Sequence, residues 1–240
     1  MTRTLAKLII FGWGDKLGFL KIAIASSCLM IVPQVQVKAA SVTVLNPSFE
    51  APTAPQQPGG QYFSNNDITN WVLSSSGGAV QGVFNPSASQ AADGGNDYYD
   101  QPVPHGVQVA FSNGGSISQQ LSAVLQPNRQ YTLGAFVGRR NNVSFPGYNI
   151  ELLAGNTVLA SNNSITPASG TFAPVTVNYT SGRSDPLIGQ PLQIRLTSLG
   201  TQTNFDNITL DASPIPEPSA ILGLLGFGLL GIGSTLKQKR

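Results

Sequence analysis

The segment Leu192-Gln193-Ile194-Arg195-Leu196 sets three apolar residues on one side of an extended chain and two polar ones on the other. That period of two is a strand signature, because successive side chains of a strand point to opposite faces. The same reading gives strands over Val107–Phe111, Ser116–Leu121, Gln130–Gly138, Gly147–Leu153, Phe172–Thr180, Pro191–Ser198 and Asn204–Leu210, after an opening Val42-Thr43-Val44-Leu45. Turn formers separate them: Gln126-Pro127-Asn128, Ala154-Gly155-Asn156 and Pro167-Ala168-Ser169-Gly170. Ala79–Phe84 does not qualify as a strand, because the Ser-Ser-Ser-Gly-Gly before it is loop-like. Ala51–Gly60 and Ser87–Gly106 are rich in Pro, Gly and polar residues and read as long loops. No long stretch of the body carries a helical period. Short strands at regular spacing predict an all-β fold, a jelly-roll β-sandwich.

Charge is distributed unevenly. The net charge is +2, yet Arg3, Lys7, Lys16, Lys21, Lys38, Lys237, Lys239 and Arg240 all sit at the two ends. Between Ser41 and Ser213 there are five arginines, no lysine and nine acids, a net charge of about −4. A nucleic-acid partner is excluded on this ground, since it needs basic residues clustered on the folded body. The one cysteine, Cys28, lies in the N-terminal apolar run, so the body folds without disulfides. A domain of roughly 170 residues is large enough to do so.

The ends read as targeting segments. Residues 1–39 have a basic start, an uncharged Ile22–Val32 and a small-residue site at Val37-Lys38-Ala39, the pattern of a signal peptide cleaved after Ala39. The body then covers 40–212, and a proline-rich linker follows over 213–218. Ser219–Leu236 is uncharged through 18 residues, roughly 27 Å as a helix, enough for a single transmembrane crossing. The basic tail 237–240 would stay on the cytoplasmic side and leave the body outside.

Pro216-Glu217-Pro218, the Gly/Leu-rich span and the Lys-Gln-Lys-Arg end, in that order, resemble the PEP-CTERM sorting signal of bacterial exported proteins. The resemblance implies an exosortase-type processing enzyme as partner. The membrane helix would hold the chain until cleavage near Pro218, and the product would pass to the cell surface or extracellular matrix.

Three landmarks frame the body: Asn46-Pro47-Ser48-Phe49-Glu50, Trp71, and Asn204-Phe205-Asp206-Asn207-Ile208-Thr209-Leu210. Their order resembles the galactose-binding-like jelly rolls of carbohydrate-binding modules. In such a fold the first and last strands lie close, so Glu50 and Asp206 could meet. The resemblance implies a structural Ca²⁺ at this pair, whose hard oxygens suit that ion. The alternative is that both acids cap strand ends or face water.

Tyr98, Tyr99 and Tyr62, with Phe63, offer apolar faces that could stack on sugar rings. Loop aromatics also serve simply to pin their loop. Asp93, Asp97 and Asp100 lack EF-hand spacing and read as a solvated loop. Arg139-Arg140 could close a strand end or clamp an anion, and solvated side chains are the simpler reading. His105 is the sole histidine, no nucleophile motif accompanies it, and the acids form no recognisable catalytic pair. The expectation is therefore a non-enzymatic exported protein that binds or embeds in extracellular polysaccharide. A coat or adhesion domain with protein partners, or a secreted polysaccharide hydrolase, are the alternatives.

Overall fold

The computed structural model describes residues 39–215, apart from Ser76, Gly95 and Asn96. The described residues form β1 (Ala40–Val42), β2 (Val72–Ser74), β3 (Gln81–Phe84), β4 (Val109–Ser112), β5 (Gly115–Val124), β6 (Arg129–Arg139), β7 (Tyr148–Ala154), β8 (Thr157–Asn162), β9 (Thr171–Thr180), β10 (Pro191–Ser198) and β11 (Thr203–Pro214), with one helix, α1 (Pro86–Asp93). All pairings between these strands are antiparallel. One sheet runs β3-β4-β11-β6-β9, with β1 also on β11, and the other runs β2-β5-β10-β7-β8. The expected all-β sandwich is present.

The main core lies between the sheets. Leu133 and Val137 of β6 and Phe205 of β11 meet Ile150 of β7 and Ile194 of β10. β10 keeps strict alternation, with Leu192, Ile194 and Leu196 fully buried. β11 does not. Its register shifts between Asp206 and Thr209, where Asn207 takes φ 49° and the Ile208 N–H donates to the Pro47 carbonyl at 2.8 Å. The extra residue changes the parity, so Phe205, Ile208 and Leu210 all reach the main core. Asn204 and Asp206 are left on the outer face of the six-stranded sheet, yet both are completely buried.

The Asn46–Glu50 landmark is a turn built around the tryptophan. The Trp71 indole N–H donates to the Asn46 carbonyl at 3.1 Å, and its ring lies 5.1 Å from that of Phe49. Trp71 is core, as is Phe49.

Four elements escape the period-two reading. β3 is buried at all four positions, so Gln81-Gly82-Val83-Phe84 carries no alternation. β2 and β8 are short and mostly exposed. α1 stands inside the stretch expected to be loop. Its start is coded locally: Asn85 Oδ1 accepts the Ala88 N–H at 2.9 Å and Pro86 opens the first turn. Gly94, at φ 67°, ends it.

No helix among the described residues is long and apolar enough to cross a membrane. The signal segment before Ala39, the Pro216-Glu217-Pro218 motif, the 219–236 span and the basic tail lie outside the described residues.

Candidate functional site

The outer face of β3, β4, β11 and β6 is not solvated. Val83 and Ala110 point into the main core, while Phe84, Val109 and Phe111 point the other way. They form a second apolar cluster with the loop residues Tyr98 and Tyr99, and Phe63, Val103 and Phe172 pack against it. Burying both faces of β3 and β4 explains why their apolar residues are continuous.

The segment from Asp97 to Gln108 closes over this face through specific bonds. The Tyr99 hydroxyl donates to Asn204 Oδ1 at 2.9 Å, and the Tyr99 ring stacks on Phe172 with centroids 4.3 Å apart. Burial pushes the Tyr99 hydroxyl far above its ordinary value, so it stays a donor. The Tyr98 hydroxyl donates to Asp93 Oδ2 at 2.5 Å and accepts from Gln61 Nε2 at 2.7 Å. Burial first, then the Asp93 carboxylate, raises its pKa. Asp100 receives the Asn141 amide at 2.7 Å, while its N–H donates to the Gly170 carbonyl at 2.9 Å.

Tyr98 and Tyr99 are thus brought together, but inside the protein, at 1% and 6% exposure. Tyr62 is not with them. It packs against the main core, and its backbone holds Ser89 of α1 and Asn85.

Glu50 and Asp206 converge on one backbone segment. Asp206 Oδ2 accepts the His105 N–H at 2.8 Å, and Glu50 Oε1 accepts the N–H groups of Val107 and Gln108 at 2.9 and 3.1 Å. Asp206 Oδ1 accepts the Asn207 N–H at 2.6 Å. Burial pushes the Asp206 carboxyl up to about 7, two backbone N–H groups pull it down, and the nearby Glu50 charge raises it further. No group of three or more His, Cys, Asp or Glu side chains gathers at a metal-binding distance among the described residues.

Beside the second cluster lies a cavity of about 240 Å³. Phe63, Phe84 and Phe111 wall it, and Asn113, Arg140 and Gln202 supply polar groups. The Arg140 guanidinium lies over the rings of Tyr98 and Phe84, 4.5 and 5.2 Å from their centroids. Its Nη1 donates to Gln202 Oε1 and its Nε to Asn142 Oδ1 at 3.1 Å. Burial lowers its pKa, opposed by Tyr99 and Tyr98, but an arginine keeps its charge. Asn113 Oδ1 is buried and accepts no hydrogen bond. The arrangement can enclose a planar apolar group and present a cation to it. A larger hollow of about 520 Å³ along Ser144–Tyr148 is lined by two aromatic residues, Phe145 and Tyr148, against three here.

Sequence reasoning missed Asn113, Phe84 and Phe111 as site residues and set Arg140 aside as a solvated side chain. The usable signal was the loss of alternation in Gln81–Phe84 and Gln108–Phe111, where apolar residues fall on both parities.

A family model described as HpiC1 cyclase, of the HpiC1-like family, matches residues 40–211, and the PEP-CTERM protein-sorting motif matches residues 214–238. The sorting motif implies an exported, membrane-associated protein processed by an exosortase. Among solved structures, a Stig cyclase, Fisc, from Fischerella sp. TAU in complex with (3Z)-3-(1-methyl-2-pyrrolidinylidene)-3H-indole is 28% identical. That pair superposes with a TM-score of 0.65 over 75% of this chain and 100% of the other. The apo form of a cyclase from Fischerella sp. is 29% identical, with a TM-score of 0.64 over 75% and 98% of the two chains. A cyclase from Fischerella sp. TAU in complex with 4-(1H-indol-3-yl)butan-2-one is 27% identical, with a TM-score of 0.64 over 75% and 100%. Carbohydrate-binding modules also match, such as a xylan-binding domain from Paenibacillus barcinonensis at 13% identity and a TM-score of 0.39, over 67% and 100% of the two chains. No curated protein matches the chain. The expectation of a non-enzyme is overturned: the matched family and the solved structures at 27–29% identity are cyclases, and cyclases are enzymes.

Proposed function

The chain belongs to the HpiC1-like family, whose model spans residues 40–211, and we propose that it is an exported cyclase acting on a small planar aromatic molecule. The cavity walled by Phe63, Phe84 and Phe111 carries this reading. Ring closure joins two parts of one molecule, so a rigid apolar cavity that holds the chain folded lowers the entropy cost of bringing them together. Aromatic walls exclude water from the reacting ends. The two cyclase complexes from Fischerella sp. TAU contain indole compounds, which supports an indole-class ligand here. Titration of the full chain with 4-(1H-indol-3-yl)butan-2-one tests this. Saturable binding, weakened about tenfold or more by Phe84→Ala, is expected, a loss of about 1.4 kcal/mol or more. No binding would overturn it.

A structural calcium at Glu50 and Asp206 forms part of the same reading. Two carboxylates of like charge face one backbone segment, Asp206 is driven toward its neutral form, and a hard dication would relieve both effects. Its effect would be to fix the 105–108 segment; no chemical step runs through it. After export, removal of the residues beyond about Pro218 would deliver the domain to the cell surface or matrix. Polysaccharide binding has weaker support, since Tyr98 and Tyr99 are buried and give no open stacking surface. A glycan array with the full chain separates that role from a cyclase.

A further inference from the structure

The cavity contains a charge that the protein itself does not balance. Among the described residues the only ion pair joins Arg195 to Glu151, on the other sheet. Arg140 is half-buried over two aromatic rings and bonds only neutral amide oxygens, those of Gln202 and Asn142. Those bonds occupy two of its five N–H donors. A guanidinium held this way is fixed in orientation and short of hydration. It is suited to pair with a planar anion through two parallel N–H bonds. Asn113 also lines the cavity, but its unpaired Oδ1 is itself buried in the protein.

Resting on the aromatic-ligand reading above, we infer that the natural ligand is a planar aromatic acid. Its ring lies among Phe63, Phe84 and Phe111, and its carboxylate pairs with Arg140. The walls and the cation thus specify one chemical class: planar and anionic. Arg140 is a specificity residue in this account, because a neutral ligand leaves its charge unpaired in a site where water has little access. The two cation–aromatic contacts and the Gln202 bond hold the guanidinium in place before the ligand enters.

The test compares indole-3-propionate with its neutral amide on the full chain by calorimetric titration at pH 7. The acid is expected to bind about tenfold or more tightly than the amide, the ratio that a charge-assisted pair of hydrogen bonds provides. Arg140→Gln should abolish the preference, chiefly by weakening the acid. Arg140→Lys should retain part of it. Equal affinity for acid and amide in the natural protein overturns the inference and leaves the aromatic-ligand reading standing. Failure of both compounds to bind overturns both. The comparison in the natural protein needs no variant, so a misfolded Arg140 variant cannot obscure the result.

Discussion

The hydroxyl of Tyr99 donates to Asn204 Oδ1 at 2.9 Å, tying a loop to the middle strand of the six-stranded sheet. Asn204 is fully buried, so removing this donor leaves its oxygen without water or protein to replace the bond. Tyr99→Phe keeps the stack on Phe172 and removes only the hydroxyl. It should destabilise the protein by about 1–3 kcal/mol, with the melting temperature falling about 2–4 °C per kcal/mol. Thermal unfolding followed by circular dichroism measures this, and an unchanged melting temperature would refute the anchoring role.

Gly138 gives that tyrosine its seat. A Cβ built at Gly138 would lie 2.6 Å from the Tyr99 hydroxyl oxygen and 2.5 Å from the Phe172 ring. Gly138→Ala must therefore displace one of two stacked rings, at a cost of about 1–3 kcal/mol. At Gly182 a Cβ would meet nothing within 4 Å, so Gly182→Ala should be close to neutral. Urea midpoints of the two variants, measured side by side, distinguish a steric cause from a general intolerance of glycine replacement.

These two contacts also mark where the sequence stops being informative. β10 could be read directly, because one face is buried and the other is not, so Leu192, Ile194 and Leu196 stand out against Gln193 and Arg195. The site could not. Its floor is the outer face of β3 and β4, buried by a loop, and burial on both sides erases the alternation that identifies a strand. Asn204 and Asp206 fell in a stretch read as one regular strand, yet the bulge at Asn207 turns their partners in the chain to the other side. Arg140 is polar in a polar neighbourhood, and nothing local to Arg139-Arg140 distinguishes a solvated arginine from one lying over aromatic rings. Glu50 and Asp206 were singled out by their landmarks, and here both accept N–H groups of the 105–108 segment, a relation that no local pattern encodes. α1 was legible in principle through Asn85-Pro86, a helix-start pair in a segment too short for a periodic signal.

Maturation should remove both ends. Proline has no backbone N–H and disfavours helix in the residue before it, so the Pro214, Pro216 and Pro218 spacing in the sequence is expected to favour an extended chain that a membrane protease can grip. The expected mature chain starts after Ala39 and ends near Pro218. Intact mass spectrometry of the form released from cells checks both ends together. A mass that retains the 219–240 segment would count against processing at this motif.

The stability of the metal-free protein should depend on pH through Asp206. Its carboxyl is raised from 3.8 to about 7 in the folded state, chiefly by burial. Between about pH 4 and about pH 7 the folded chain therefore holds a proton that the unfolded chain has lost. Stability from this group is fully present below the unfolded value. It declines as pH rises through that window, on the order of 1 kcal/mol per pH unit, and levels off above it. Asp206→Asn stays neutral throughout, so its unfolding free energy should be flatter over the same range in EDTA. Calcium acts in the opposite sense, because a dication favours the ionised carboxylate that burial disfavours. Millimolar Ca²⁺ should raise the melting temperature at pH 8 more than at pH 5, and Asp206→Asn should reduce that gain. If calcium leaves the melting temperature unchanged at both pH values, the ion does not bind at this pair. The pH slope in EDTA would remain as a separate measure of the buried carboxyl.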